Sequence, residues 1–535
     1  MSEKITPKQL SEISIEAGTY ELSATALSEG LLESDYSNEE TYVRGEALIY
    51  EISPTGDYYI VTGYNPSELV NVVIPSEYND GIHGTLPVRE IGIRAFSQSI
   101  IEKVEIPNTI RVVGQSAFYY CQYLKEVVFK PRTQVTVYFR SDWNNVLCYY
   151  DLAGLPIRVS TYNVGNGIYK ATVSSGNPKV YFTGSMNGMA FTTETFYPWH
   201  GSCWYANGAM DGNGNYLVDI YQDYTSPELE NDYCVIDQGA FAYSMIEEPL
   251  IIPNTIGVIG SDAFAWCYTL KKVEMPSNSG TRIIEQRAFS NCYSLSTFFI
   301  TNTVETIEYQ AFMNAAKYDE DYFYFRRYSK SFSNRVKTIG SEAFLNCDRL
   351  LFGDPKSLIG GYVYDENMFP MLETIGDRAF KGCVNTAYDP DVSFYETFKF
   401  PKTMREIGID VFKGCTALSI VEFENPYGWY FDNDTRVFID KSVFSDSSWL
   451  AQMMISGAGG ASGTTSSEPA NAFNYPWYKI FQMIAPTISI EHNTTMNIKD
   501  STGIAERFKI YARKEGSETR VEVAIVNAVS EADFE

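Results

Sequence analysis

Nine times along the chain a branched apolar residue is followed four places later by Ala-Phe, or in the last case by Val-Phe. The pairs are Ile91 with Phe96, Val113 with Phe118, Ile236 with Phe241, Ile259 with Phe264, Ile284 with Phe289, Ile307 with Phe312, Ile339 with Phe344, Ile375 with Phe380 and Ile407 with Phe412. Between them run segments in which apolar and polar positions alternate, such as Ile101-x-x-Val104-x-Ile106, Leu124-x-x-Val127-x-Phe129, Leu270-x-x-Val273-x-Met275 and Leu418-x-x-Val421-x-Phe423. A period of two predicts a half-buried strand. Several segments stop at Pro-x-Thr, as at Pro107-Asn108-Thr109 and Pro253-Asn254-Thr255, where proline ends a strand without removing an inner ladder bond. Successive Phe residues lie 22 apart from 96 to 118, then 23, 25 and 23 from 241 to 312 by way of the Ala-Phe phrases, and 32, 36 and 32 in the later ones. Self-similarity at a near-fixed period predicts a solenoid, whose coils bury their apolar faces only against one another. Each coil is expected to be a strand, a turn and a tight Ile-Gly-x-x-Ala-Phe corner, with Ala admitting close approach beneath a stacked Phe.

Six phrases carry a Cys three places after the Phe: Cys121, Cys267, Cys292, Cys347, Cys383 and Cys415. Free Cys serves as a small buried hydrophobe, and a column of them at one repeat position is expected to pack from coil to coil. A disulfide framework fits poorly, because each Cys is a whole repeat from the next. The remaining Cys148, Cys203 and Cys234 have no metal-ligand spacing.

This pattern resembles the BspA-like leucine-rich repeats of bacterial and protist surface proteins over residues 46–130 and 231–425, and residues 48–75 resemble that family's amino-terminal cap. The resemblance implies a leucine-rich-repeat solenoid with no catalytic residues to carry over. Residues 131–232 lack the repeat. Their short strand-like runs, among them Val135-Thr136-Val137-Tyr138 and Lys179-Val180-Tyr181-Phe182, predict an inserted all-β domain. Gln134 to Tyr150 and Gly165 to Phe196 resemble the β-sandwich starch-binding modules of gut bacteria, without their Trp-Pro-Gly element. Residues 426–485 are expected to form a carboxy-terminal cap with a Gly/Ser loop from Gly457 to Ser467. Residues 486–535 and 1–45 resemble complementary halves of an immunoglobulin-like domain found in phage and bacterial surface proteins. The expected fold is therefore mainly β: a leucine-rich-repeat solenoid with an inserted β-sandwich domain and terminal immunoglobulin-like β segments.

Of 535 residues, 44% are hydrophobic and 15% aromatic, as in a folded protein. A formal net charge of -26 argues against a nucleic-acid partner, whose phosphates it repels. No run of about 18 apolar residues occurs, so membrane insertion is not expected. The first residues lack the basic and apolar regions of a signal peptide, which suggests folding in a cytoplasm. Only His83, His200 and His492 occur, and neither a P-loop nor a nucleophile elbow is present. No enzyme, metal or cofactor is expected.

Asp211-Gly212-Asn213-Gly214-Asn215 imitates the start of a calcium loop, but Tyr216 and Gln222 replace the required Gly and Glu. A plain turn is the better reading. Trp143, Tyr149, Trp199 and Trp204 could stack on sugar rings or instead fill the insert's core. The extra residues of the later repeats fall at 315–334, 352–371 and 385–400, and insertions at one point of a coil map to one face. The first is very aromatic, and it either packs in part against the coil or, with Tyr322, Tyr324 and Tyr328 as candidates, forms a contact surface. Together these features suggest a non-enzymatic binding or structural protein on a virion surface, such as a head fibre, decoration or tail-tip protein. Its expected partners are a host-surface glycan or protein and other virion subunits, with self-association open. The alternatives are a bacterial or protist cell-surface adhesin and an intracellular scaffold.

Overall fold

Each Ile-Gly-x-x-Ala-Phe phrase folds as a short strand that runs into a sharp corner. In this computed structural model the described residues are 48–456, less 66–70, 153–154, 175–178, 197, 199, 222–231, 277–278, 318–322, 328–334, 349, 353–368, 384–396, 417, 419, 432–438 and 440–443. Outside that span only strands at 19–22, 40–43, 480–482, 487–491, 495–499, 507–512 and 521–527 are described. The repeated branched residues pair in parallel register, Ile91 on Val113, Val113 on Ile236, Ile236 on Ile259 and so on to Ile375 on Ile407. The alternating segments form a second parallel sheet, from Asn71–Val73 and Lys103–Ile106 through Thr297–Ile300 to Leu350–Phe352. Their alternation is visible as burial: Val104 and Ile106 point inward, Lys103 and Glu105 outward.

Between the sheets the nine Phe rings stack, with centroids 4.9 to 5.5 Å apart and planes within 11°. That is close to the spacing of paired strands, so the rings follow the backbone. Tyr64 heads the stack, 5.4 Å from Phe96. The corner turns because two of its residues take left-handed backbone. One lies two places before the Phe (Arg94, Ser116, Gly239, Asp262 and their equivalents), the other two places after it. Gly114 shows why glycine often follows the branched residue: a Cβ there would lie 2.7 Å from the Ile91 carbonyl oxygen.

The Cys column does more than pack. Each of the six thiols donates to the carbonyl oxygen of the preceding coil's ladder Phe, at 2.9 to 3.2 Å. In the coil of Phe241, Ser244 takes the place of Cys and donates to Phe118 O at 2.8 Å. Each of the six carbonyls that the thiols reach also accepts a backbone bond within its own corner, as Phe312 O does from Ala315 N at 3.0 Å, so the column adds a second donor that ties one coil to the next.

The insert does not interrupt the spine. Phe118 and Phe241 flank it in sequence yet stack at 4.9 Å with planes 2° apart. The insert itself is two sheets. One orders Thr161–Gly165, Ile168–Ser174, Gln134–Arg140, Cys203–Met210 and Tyr216–Ile220; the other orders Leu155–Val159, Asn144–Leu152, Val180–Met186 and Met189–Thr192. Val137, Phe139, Cys148, Ala171 and Phe182 fill the space between them. At its base, Asp232 accepts hydrogen bonds from Arg111 Nη2 at 2.6 Å and Arg132 Nη1 at 2.7 Å, and His200 Nε2 faces it at 3.0 Å. Next to it Tyr233 donates to the His200 carbonyl and lies against Gly257 and Gly280, where a Cβ on either glycine would overlap its side chain.

The described part of the aromatic run in the first lengthened coil is a regular strand, packed against the coil as in the first of the two readings open to it. Phe323–Arg327 pairs with Thr297–Ile300 and Leu350–Phe352, and Phe325 is buried, stacked 5.4 Å from Phe298. A coil must place a strand in the second sheet, and these are the residues that fill it. The spine closes with antiparallel pairs. Leu48–Ile52 and Tyr59–Tyr64 form a hairpin at one end; Ile480–Gln482 pairs antiparallel with Glu406–Ile407 and Trp429–Phe431 at the other. Leu450 and Ala451 of the helix Ser447–Ser456 are buried in the core there. Of the terminal segments expected to be immunoglobulin-like, three antiparallel pairs are described: Thr19–Leu22 with Glu40–Val43, Thr487–Glu491 with Thr495–Lys499, and Arg507–Ala512 with Val521–Asn527. Among the described residues no helix is long and apolar enough to cross a membrane.

Candidate functional site

The insert carries a groove of about 770 Å³ where the outer face of its four-stranded sheet meets a hairpin of the other sheet. Its floor follows from strand alternation. Cys148 and Phe182 are fully buried, so the neighbouring Tyr149 and Tyr181 point outward. The two tyrosines sit directly opposite one another across the antiparallel pair and stack at 5.2 Å with planes 10° apart. Thr183, two places beyond Tyr181, lies on the same face, opposite Thr192 of the next strand.

From Thr193 the chain crosses to the second sheet. Glu194 N donates to Tyr216 O at 2.8 Å, and Glu194 Oε1 accepts from Val218 N at 3.0 Å. The facing wall is the loop from Asp211 to Asn215. There Asp211 Oδ1 accepts from Asn213 N and Asn215 N, both at 2.8 Å, and Oδ2 accepts from the Asn215 side chain at 3.1 Å. These bonds, the Asn215 backbone bond foremost, hold the Asp211 carboxyl below the usual carboxylate range. The segment is thus a turn locked by its own Asp. Among the described residues no group of three or more His, Cys, Asp or Glu could hold a metal ion.

A stacked aromatic pair bordered by hydroxyls, amides and carboxylates sets an apolar ring surface beside polar groups, the mixture that a neutral polyhydroxylated ligand presents in return.

Of the aromatic residues singled out in the sequence, Tyr149 alone among the described side chains lines this groove. Trp143 is buried against Phe139 at 5.6 Å and Phe191 at 5.5 Å. Trp204 is buried 4.5 Å from Phe196, its indole N–H donating to Ser202 Oγ at 2.8 Å. Both rings fill the core of the insert, the second of the two roles open to them. Tyr324 belongs to the spine strand Phe323–Arg327, while Trp199, Tyr322 and Tyr328 lie outside the described residues. Sequence reasoning missed Tyr181, Glu194 and the threonines. The run Lys179-Val180-Tyr181-Phe182 does alternate, but only the strand register brings Tyr181 beside Tyr149.

Two parallel sheets, a stacked aromatic spine and one corner per repeat define a leucine-rich-repeat solenoid protein. Residues 81–141, 234–352 and 373–457 match the family described as BspA type Leucine rich repeat region, in six copies, and the repeats of this chain are of that type. A leucine-rich repeat protein from Bacteroides capillosus is 28% identical, with a TM-score of 0.15, over 16% of this chain and 64% of its own length. The pneumococcal vaccine antigen PcpA is 14% identical, with a TM-score of 0.32, over 72% of this chain and 81% of its own. A leucine rich cell surface protein from Faecalibacterium prausnitzii is 17% identical, with a TM-score of 0.23, over 71% of this chain and 88% of its own. No curated protein matches.

Proposed function

We propose that this chain is a non-enzymatic attachment protein displayed at a surface, and that the groove of its insert binds a host-surface glycan. The observation that carries this reading is the outward Tyr149–Tyr181 stack set beside Thr183, Thr192, Glu194 and the Asn213–Asn215 loop. The net charge of -26 favours a neutral ligand over an acidic one. The finer placement is a virion appendage, a head fibre, decoration or tail-tip protein with other virion subunits as neighbours. The combination of repeat spine, sandwich insert and antiparallel terminal strands supports it. A cell-surface adhesin is the second reading, favoured by the BspA-type repeats themselves.

A glycan array probed with the full chain tests the binding. Tyr149→Ala should weaken its hits about tenfold, the worth of one ring stack of about 1.4 kcal/mol. Hits that ignore this substitution would remove the groove from the mechanism. Immunogold labelling of purified virions against labelling of intact cells separates the two placements.

A further inference from the structure

The second left-handed position of the corner, two residues after each ladder Phe, forms a column along the outside of the spine: Gln98, Tyr120, Tyr243, Trp266, Asn291, Asn314, Asn346, Gly382 and Gly414. Asn and Gly are the residues that tolerate this backbone. Where Asn occupies the column it serves the fold, Asn314 donating to Asn291 Oδ1 at 2.8 Å and Asn346 to Asn314 Oδ1 at 3.3 Å. Tyr120, Tyr243 and Trp266 depart from that rule. Their φ values are 58, 62 and 63°, a conformation in which the Cβ of a bulky residue crowds the following carbonyl oxygen.

The three do not disappear into the core. Tyr120 is 46% exposed, and Tyr243 and Trp266 are half-buried. Tyr243 stacks on Trp266 at 5.7 Å with planes 3° apart, and Tyr120 lies 6.3 Å from Tyr243. Tyr268 and Tyr293 meet Trp266 edge-on at 5.9 Å. Aromatic residues thus line four successive coils, one coil rise apart, at the corner opposite the turn from which the insert leaves. We propose that this row is a second binding site, independent of the groove, for an extended neutral polysaccharide.

Three observations select that ligand. The row advances one ring per coil, 4.9 to 5.3 Å along the ladder Phe stack, so it suits a linear polymer that advances by one sugar per coil. Phenol and indole combine an apolar body with a polar edge, the surface a sugar presents in return. Asp262, whose charge reaches Tyr243, is held by the Arg287 guanidinium through two bonds of 2.8 Å, which leaves the row near neutral. The chain's charge of -26 repels acidic polymers.

The test is the substitution pair Tyr243→Asn with Trp266→Asn, which installs the residue the column carries elsewhere and relieves the backbone. The full chain and this variant are applied to an array of neutral and acidic oligosaccharides of six or more sugars. The expected result is a melting temperature unchanged or raised, together with at least a tenfold loss of signal on neutral oligosaccharides that Tyr149→Ala leaves bound. The inference is overturned if the full chain binds no neutral oligosaccharide, if all its neutral hits vanish with Tyr149→Ala, if the hits survive the Asn pair, or if the Asn pair lowers the melting temperature. Hits lost with Tyr149→Ala and kept by the Asn pair belong to the groove, so the two sites succeed or fail separately.

Discussion

The thiol of Cys347 donates to Phe312 O at 2.9 Å inside a fully buried ladder, and Ser244 shows that a hydroxyl can make the same bond in the same column. Cys347→Ala removes the second of two bonds to that carbonyl, which Ala315 N also reaches at 3.0 Å, and should cost about 1 kcal/mol, while Cys347→Ser should cost clearly less. Equal denaturation midpoints for the Ala variant and the parent would refute the bond. Burial also pushes the Cys292 thiol up to about 12, which leaves that thiol chemically quiet. The columns of Ala, Phe and Cys were legible in the sequence because each recurs at a fixed offset. The hydrogen bond was not, since it joins residues 35 apart whose contact depends on how the coil closes. The left-handed column was equally hidden: nothing in Tyr120 or Trp266 announces a positive φ.

At the scale of the elements, the insert is fastened to the spine by a few groups at its own ends. Burial works to raise the Asp232 carboxyl, yet the hydrogen bond from His200 and the charges of Arg132 and Arg111 outweigh it and hold the group at about 2. A carboxyl held below its ordinary value of about 4 lends stability that is complete above that value and lost as pH falls through the folded-state value. The joint should therefore weaken between about pH 4 and pH 2. Asp232→Asn should lower the melting temperature at pH 7 and flatten its fall across that acid range; identical melting profiles for variant and parent would sink the assignment. The ends of the insert could be read because the repeat stops before 131 and resumes after 232. Arg132 and Asp232, standing at those ends, belong to no motif and drew no attention. The pairing of Tyr149 with Tyr181 was hidden for a different reason, since strand alternation sets a residue's face but leaves its cross-strand partner open.

For the molecule as a whole, the coils before and after the insert already meet. Phe118 N donates to Ala240 O at 2.7 Å, Val113 pairs with Ile236, and Val128 with Ile251, all across the point of insertion. Replacing residues 131–232 by a short Gly/Ser link should therefore leave the spine folded, with the far-ultraviolet spectrum of a β protein and a cooperative melt. Loss of that melt would mean that the insert helps to hold the coils together. The hydrogen-bonded spine gains little from the domain it carries, and the domain needs little beyond a place to stand. If the insert is the binding element, an exchange at this turn would change what the protein grasps while leaving how it is built untouched. Binding through the insert could then diverge without any change in the coils that carry it.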